Sequence, residues 1–140
     1  MTQEGREKKA LSTYRLDKAK RLLDDARLLF REGRWDSTVN RSYYAALSAA
    51  KSALILFGSD PKTHEGVKTM VSKMLVMEGH LTKEQGKWFR DLLFEREDAD
   101  YADYSTIDAS DAEGALNHAN DFIEKISAIT TALQRQLTDA

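Results

Sequence analysis

The sequence predicts an all-α protein, an up-and-down bundle of about five helices, and three observations carry that expectation. Apolar residues recur at three- and four-residue spacing through most of the chain, with no alternating strand pattern and no internal repeat. One Pro and seven Gly in 140 residues leave little punctuation, so the helices should be long. Third, the stretch from Trp35 to Phe57 carries only Asp36, Arg41 and Lys51 as charges. Val39, Tyr43, Ala46, Leu47, Ala50, Leu54 and Phe57 share one stripe of it, and Ala45, Ala49, Ser52 and Leu56 keep the opposite side small or apolar. A helix that is apolar nearly all round packs on more than one side, so this one should be central.

The first helix is expected from about Arg6 to Glu32, with Leu11, Tyr14, Lys18, Leu22, Ala26 and Leu29 on one stripe, widened by Leu23 and Phe30. Gly33 follows as a C′ residue able to take positive φ. Asp36 is placed to cap the second helix, and the short link makes the first two helices antiparallel neighbours. That second helix ends at Gly58, before the break Ser59-Asp60-Pro61. The third starts near Thr63 and carries Val67, Met70, Val71, Met74, Leu75 and Met77 up to Gly79. Its three methionines suit an adaptable surface. Thr82 and Gln85 form a capping box for the fourth helix, whose buried side is Trp88, Phe89, Leu92 and Leu93. After a loop at Ser105-Thr106-Ile107-Asp108, Ser110 and Glu113 suggest a second box. The fifth helix then runs through Ala112, Leu116, Ala119, Ile123, Ile126, Thr130, Leu133 and Leu137.

The length fits one domain over residues 1–140, with about 1–8 and 136–140 frayed. Without cysteine, disulfides, thiolate metal sites and a Cys nucleophile are excluded. No apolar run reaches the roughly 20 residues that cross a bilayer, and the charged N-terminus lacks a secretory apolar segment, so the cytoplasm is the expected location. The net charge of −2 argues against a non-specific nucleic-acid field, and no DNA partner is expected. Charge is uneven, however: residues 1–34 carry ten Lys/Arg against six Asp/Glu, and residues 91–113 one Arg against nine Asp/Glu.

Arg96 is the most informative position. Gln85, Phe89, Leu92, Leu93, Arg96 and Asp100 fall on one side of the fourth helix, which puts a guanidinium inside an apolar stripe. A buried, unpaired guanidinium costs several kcal/mol, so it needs a partner. Asp100, Asp103 and Asn40 are the structural candidates, and a bound anion such as phosphate is the functional one. The spacing of Asp98, Asp100 and Asp103 matches no calcium loop, and no metal or cofactor is expected. His64, His80 and His118 form no helical metal pair. His64 reads as part of a capping turn, His80 as facing water, and His118 as flanking the last helix's stripe. No Gly-rich phosphate loop and no serine-hydrolase elbow occurs.

The run Arg41-Ser42-Tyr43-Tyr44-Ala45-Ala46-Leu47-Ser48-Ala49-Ala50-Lys51 resembles the helix R-x-Y-Y-A-x-x-x-A-A-K of the HEPN domain superfamily. It is followed by Thr63-His64-Glu65-Gly66-Val67, then by Phe94-Glu95-Arg96 and Ala99-Asp100-Tyr101. The series is similar to small stand-alone prokaryotic HEPN proteins across roughly residues 10–130. The resemblance implies a helical bundle that homodimerises around a cleft, and a minimal nucleotidyltransferase encoded nearby as partner. Many members of the superfamily are metal-independent RNase toxins, whose site is an Arg followed after four to six residues by a His. Here the positions open to that His hold Tyr101, Ala102 and Asp103. Tyrosine, with a pKa of about 10, is a poor general base at pH 7. In related pairs a tyrosine close behind the His is modified with AMP, and Tyr101 and Tyr104 fall in the comparable region.

The expected function is therefore a homodimeric binding module that holds a nucleotide or RNA segment, or docks a nucleotidyltransferase, in a toxin–antitoxin-like system. Asn40, Arg41, Tyr43, Tyr44, His64, Asp100 and Tyr104 are its candidate ligand-binding residues. The alternative is an endoribonuclease using Arg96 with Tyr101, or with His64 brought in by the fold. A non-catalytic dimeric scaffold stands third. Dimerisation is also suggested by the apolar back of the second helix and the Met-rich third, which offer more apolar surface than one bundle easily buries.

Overall fold

A computed structural model describes residues 1–101 and 106–139. Among the described residues there are five α-helices and no strand: α1 (Gln3–Arg31), α2 (Trp35–Leu56), α3 (His64–Met70), α4 (Lys83–Tyr101) and α5 (Ala109–Asp139). A π-helical segment, Val71–Val76, extends α3. No described helix is long and apolar enough to cross a membrane.

The central position of α2 follows from its composition. It packs against all four other helices, and its small residues Ala45, Ala46, Ala49, Ala50 and Ala53 are all fully buried. Two hydroxyls of α2 in this core bond to backbone, which offsets the cost of burying them: Ser48 Oγ donates to the Arg15 carbonyl at 2.7 Å, and Thr38 Oγ1 to the Arg34 carbonyl at 2.7 Å. The apolar back of α2 is thus covered within the chain, against α4 and α5. Tyr44, Leu47, Ile55 and Leu56 on its remaining edge stay half-buried.

Local chemistry explains where the helices begin and end. Thr2 accepts from the Gly5 amide at 3.0 Å, so α1 starts before Arg6. The buried line of α1 is Ser12, Leu16, Ala19, Leu23 and Ala26, offset from the stripe expected through Tyr14 and Lys18. Tyr14 is exposed, because the small residues of the true line let α1 approach α2 closely. Arg34, not Asp36, precedes the first residue of α2, and Asp36 sits inside its first turn. There the carboxylate still faces the positive end of the helix dipole.

Gly33, Gly58 and Gly79 take φ of 74°, 82° and 84°, closing three helix ends. Thr63 caps α3 through the Gly66 amide at 2.9 Å. Thr82 and Gln85 make the expected reciprocal box at 2.9 and 3.1 Å. The box of α5 is Asp108 with Asp111, at 2.9 and 3.1 Å, rather than Ser110 with Glu113. His80, expected in water, is half-buried with its ring 5.1 Å from that of Phe57. His118 stacks on Trp88 at 6.0 Å and 12°.

Candidate functional site

Three elements converge on one aromatic cluster. α2 supplies Asn40, Arg41, Tyr43 and Tyr44, the first residue of α3 supplies His64, and α4 supplies Arg96 and Asp100. Helical spacing accounts for the pairing on α4, since residues four apart share a face. Arg96 is 7% exposed. Its guanidinium carbon lies 5.3 Å from the centroid of the Tyr43 ring and 6.0 Å from that of Tyr44. A desolvated cation against an aromatic face contributes about 2 kcal/mol. Nη1 of Arg96 is 3.4 Å from Asp100 Oδ2.

Asp100 is also held from α2. The Asn40 side-chain amide donates to its two oxygens at 3.0 and 3.2 Å, and the Asn40 oxygen accepts from Arg41 Nη1 at 3.0 Å. The four side chains form a line, Arg96 to Asp100 to Asn40 to Arg41, running from the interior to the surface. The buried end is neutralised by its carboxylate, and the exposed end is Arg41.

Tyr43 is fully buried beneath this line. Burial pushes its phenol well above the usual range, against the opposing pull of the Arg96 charge. It therefore keeps its proton, and its hydroxyl and His64 Nδ1 are hydrogen-bond partners. Burial, helped by Arg96, holds His64 below the usual imidazole range. The two effects agree in favouring the neutral forms of both groups. The His64 ring stacks on Tyr43 at 5.4 Å and meets Tyr44 edge-on at 6.0 Å. A histidine absent from the segment behind Arg96 thus reaches the same tyrosine pair from another helix.

Outside the cluster lies an open groove of about 600 Å³, whose walls include Asp25 and Leu28 from α1, Asp36, Asn40 and Arg41 from α2, and Asp100. Three carboxylates face it against one guanidinium. Asp25 and Leu28 were not picked out from the sequence, although their place on one edge of α1, beside Leu29, was readable. Glu95 was missed as well. It is half-buried, and burial first, then Asp91 and Asp111, push its carboxyl up to about 7. The side chain of Tyr101 and all of Tyr104 lie outside the described residues. No group of acidic and histidine side chains suited to a metal occurs among the described residues.

The sequence profile of the HEPN domain matches residues 12–129. This chain belongs to the HEPN domain family. A UPF0332 protein of Thermotoga maritima is 29% identical over 129 residues, 92% of the HEPN chain and 98% of that relative. One from Archaeoglobus fulgidus is 32% identical over 113 residues, covering 79% and 88% of the two chains. A protein of Methanocaldococcus jannaschii named "Putative toxin" is 27% identical over 110 residues, covering 79% and 75%. The HEPN chain is thus similar over most of its length to small prokaryotic proteins of its own size class.

Proposed function

We propose that this HEPN protein is the docking half of a toxin–antitoxin-like pair, a homodimer that binds a minimal nucleotidyltransferase through the groove beside Arg41 and does not itself cleave RNA. The observation that carries this reading is the state of Arg96. At 7% exposure, under two tyrosine rings and beside Asp100, its guanidinium is taken up by the fold and is not presented to a phosphate. The groove outside is lined by Asp25, Asp36 and Asp100, which repel a nucleic-acid backbone and suit a cationic protein surface. The toxin label on the M. jannaschii relative supports placement in such a pair.

One feature favours a second reading, an endoribonuclease. Arg96 and His64 meet on the same tyrosine pair, so an Arg–His combination exists in space although not in sequence. The two readings separate cleanly. The purified protein is incubated with RNA, and separately co-purified with any minimal nucleotidyltransferase found encoded beside it. Docking predicts intact RNA and a complex weakened by Asp36→Lys. Cleaved RNA that stays intact with both Arg96→Met and His64→Gln, each still folded, overturns docking in favour of the nuclease.

A further inference from the structure

Where the π-helical segment Val71–Val76 backs onto α4, the chain forms an apolar cavity of about 270 Å³ that opens to solvent on one side. Turns of this kind are rare and recur at functional sites. This one is wide enough that the Met77 amide reaches back to the Ser72 carbonyl, at 2.9 Å. It holds Val76 against Gly86, where a Cβ would stand 2.6 Å from Val76 Cγ2. None of the residues that line the cavity lines the groove beside Arg41.

Val71, Val76 and Phe89 form the apolar wall, and Met77, 76% exposed, stands at the mouth. The charged lining residues are Lys68, Lys83 and Arg90, and no carboxylate is among the described ones. Lys68 is already engaged, with Nζ 3.0 Å from Glu65 Oε2. Lys83 and Arg90 are exposed, and neither forms an ion pair among the described residues. About two turns of α4 separate them, which keeps both on one face of that helix.

We infer that this cavity binds a small organic carboxylate, its apolar end between Val71, Val76 and Phe89 and its anionic head at Lys83 and Arg90. Size, polarity and charge each narrow the ligand. A cavity of about 150 Å³ admits a benzene ring, so this one has room for one ring and a short chain. Ser72 is the one uncharged polar side chain among the described lining residues, too little to pair the edge of a nucleobase. The walls instead favour burial of hydrocarbon, and a guanidinium meets a carboxylate through two parallel hydrogen bonds. The site stands whether or not the Arg41 groove docks a partner.

The test is a titration of the isotopically labelled whole chain with phenylbutyrate, followed by amide chemical shifts. Saturable shifts are expected at Val71, Val76 and Gly86, and none at Asp36 or Arg41. Phenylbutanol, which lacks the charge, and phenylbutylamine, which reverses it, are expected to bind roughly tenfold more weakly or not at all. Lys83→Glu with Arg90→Glu should weaken phenylbutyrate by a similar factor. Ser72→Trp fills the mouth and should abolish the shifts. Met77→Asp sets a carboxylate at the same mouth, and it replaces the tryptophan variant if circular dichroism shows that one unfolded. No saturable shift at the three amides overturns the site. Shifts that the alcohol or the amine reproduces at equal concentration, or that survive the double charge reversal, overturn recognition of a carboxylate.

Discussion

Tyr43 and His64 stand 21 positions apart in the chain, yet the phenol of one is hydrogen-bonded to the imidazole of the other. The bond ties the first turn of α3 to the middle of α2, and so fixes how α3 lies over the Arg96 cluster. Tyr43→Phe keeps the ring packing and removes only the hydroxyl. It should cost about 1–3 kcal/mol, the penalty of leaving the half-buried His64 nitrogen unmet, measured as a lower urea midpoint with unchanged slope.

Arg96 contributes as a packed object as much as a charge. Arg96→Ala removes a long stem from between Tyr43, Tyr44 and the α4 core, and should destabilise by about 2–4 kcal/mol. Arg96→Met keeps the volume and drops the charge, and should recover more than half of that loss in the same denaturation experiment. Growth effects of Arg96→Ala in cells therefore need the methionine variant beside them before they are read as chemistry.

Glu95 makes stability fall with rising pH. Its carboxyl is pushed up to about 7 in the folded protein, from an ordinary 4.5, chiefly by burial. Between those values the unfolded chain is ionised while the folded one holds the proton, so the folded state loses ground as pH rises and levels off above about 7. Glu95→Gln should flatten the melting temperature across pH 5–8 and be more stable than wild type at pH 8. Equal pH slopes for the two proteins would refute the assignment.

Asp60 acts in the opposite direction. Lys62 and Arg15 bond to it at 2.8 and 3.0 Å, and together they hold its carboxyl below the usual 3.8. Because the folded value is depressed, the stabilisation is complete above the ordinary value and disappears as acid titrates the group. Asp60→Asn should cost about 1 kcal/mol at pH 7, modest because the side chain is partly solvated, and nothing at the acid end of the titration.

Gly86→Ala should lower the melting temperature although alanine is the better helix former. The added methyl would meet Val76 Cγ2 at 2.6 Å, so the valine side chain or the turn that carries it has to shift. Val76→Ala in the same chain should return part of the loss, which thermal melts of the single and double variants would reveal.

Much of the fold was legible because it depends on short-range pattern. The unbroken apolar circumference of α2, the glycines after α1, α2 and the π-helical segment, and the Thr82–Gln85 box each act within a few residues. The α1 face was misjudged because periodicity weighed Leu11, Tyr14 and Leu22 above Ser12 and Ala19. Close approach to an alanine-rich neighbour reverses that order, since small side chains make the tighter contact. The helical cap at Asp108 was missed by two residues because Ser110 offers an equally good box on paper.

At the site, sequence alone placed Arg96 within an apolar stripe and named Asp100, Asp103 and Asn40 as candidate partners; Asp100 meets the guanidinium, Asn40 bonds to Asp100 instead, and Asp103 lies outside the described residues. It could also assemble the HEPN motif series in order. Tertiary packing decided that His64 lies against the tyrosines beside Arg96, that Arg41 is the outward end of the line, and that α1 supplies carboxylates to the groove. Those are relations between helices whose mutual rotation depends on how side-chain volumes interlock, and spacing along one chain carries no information about that angle.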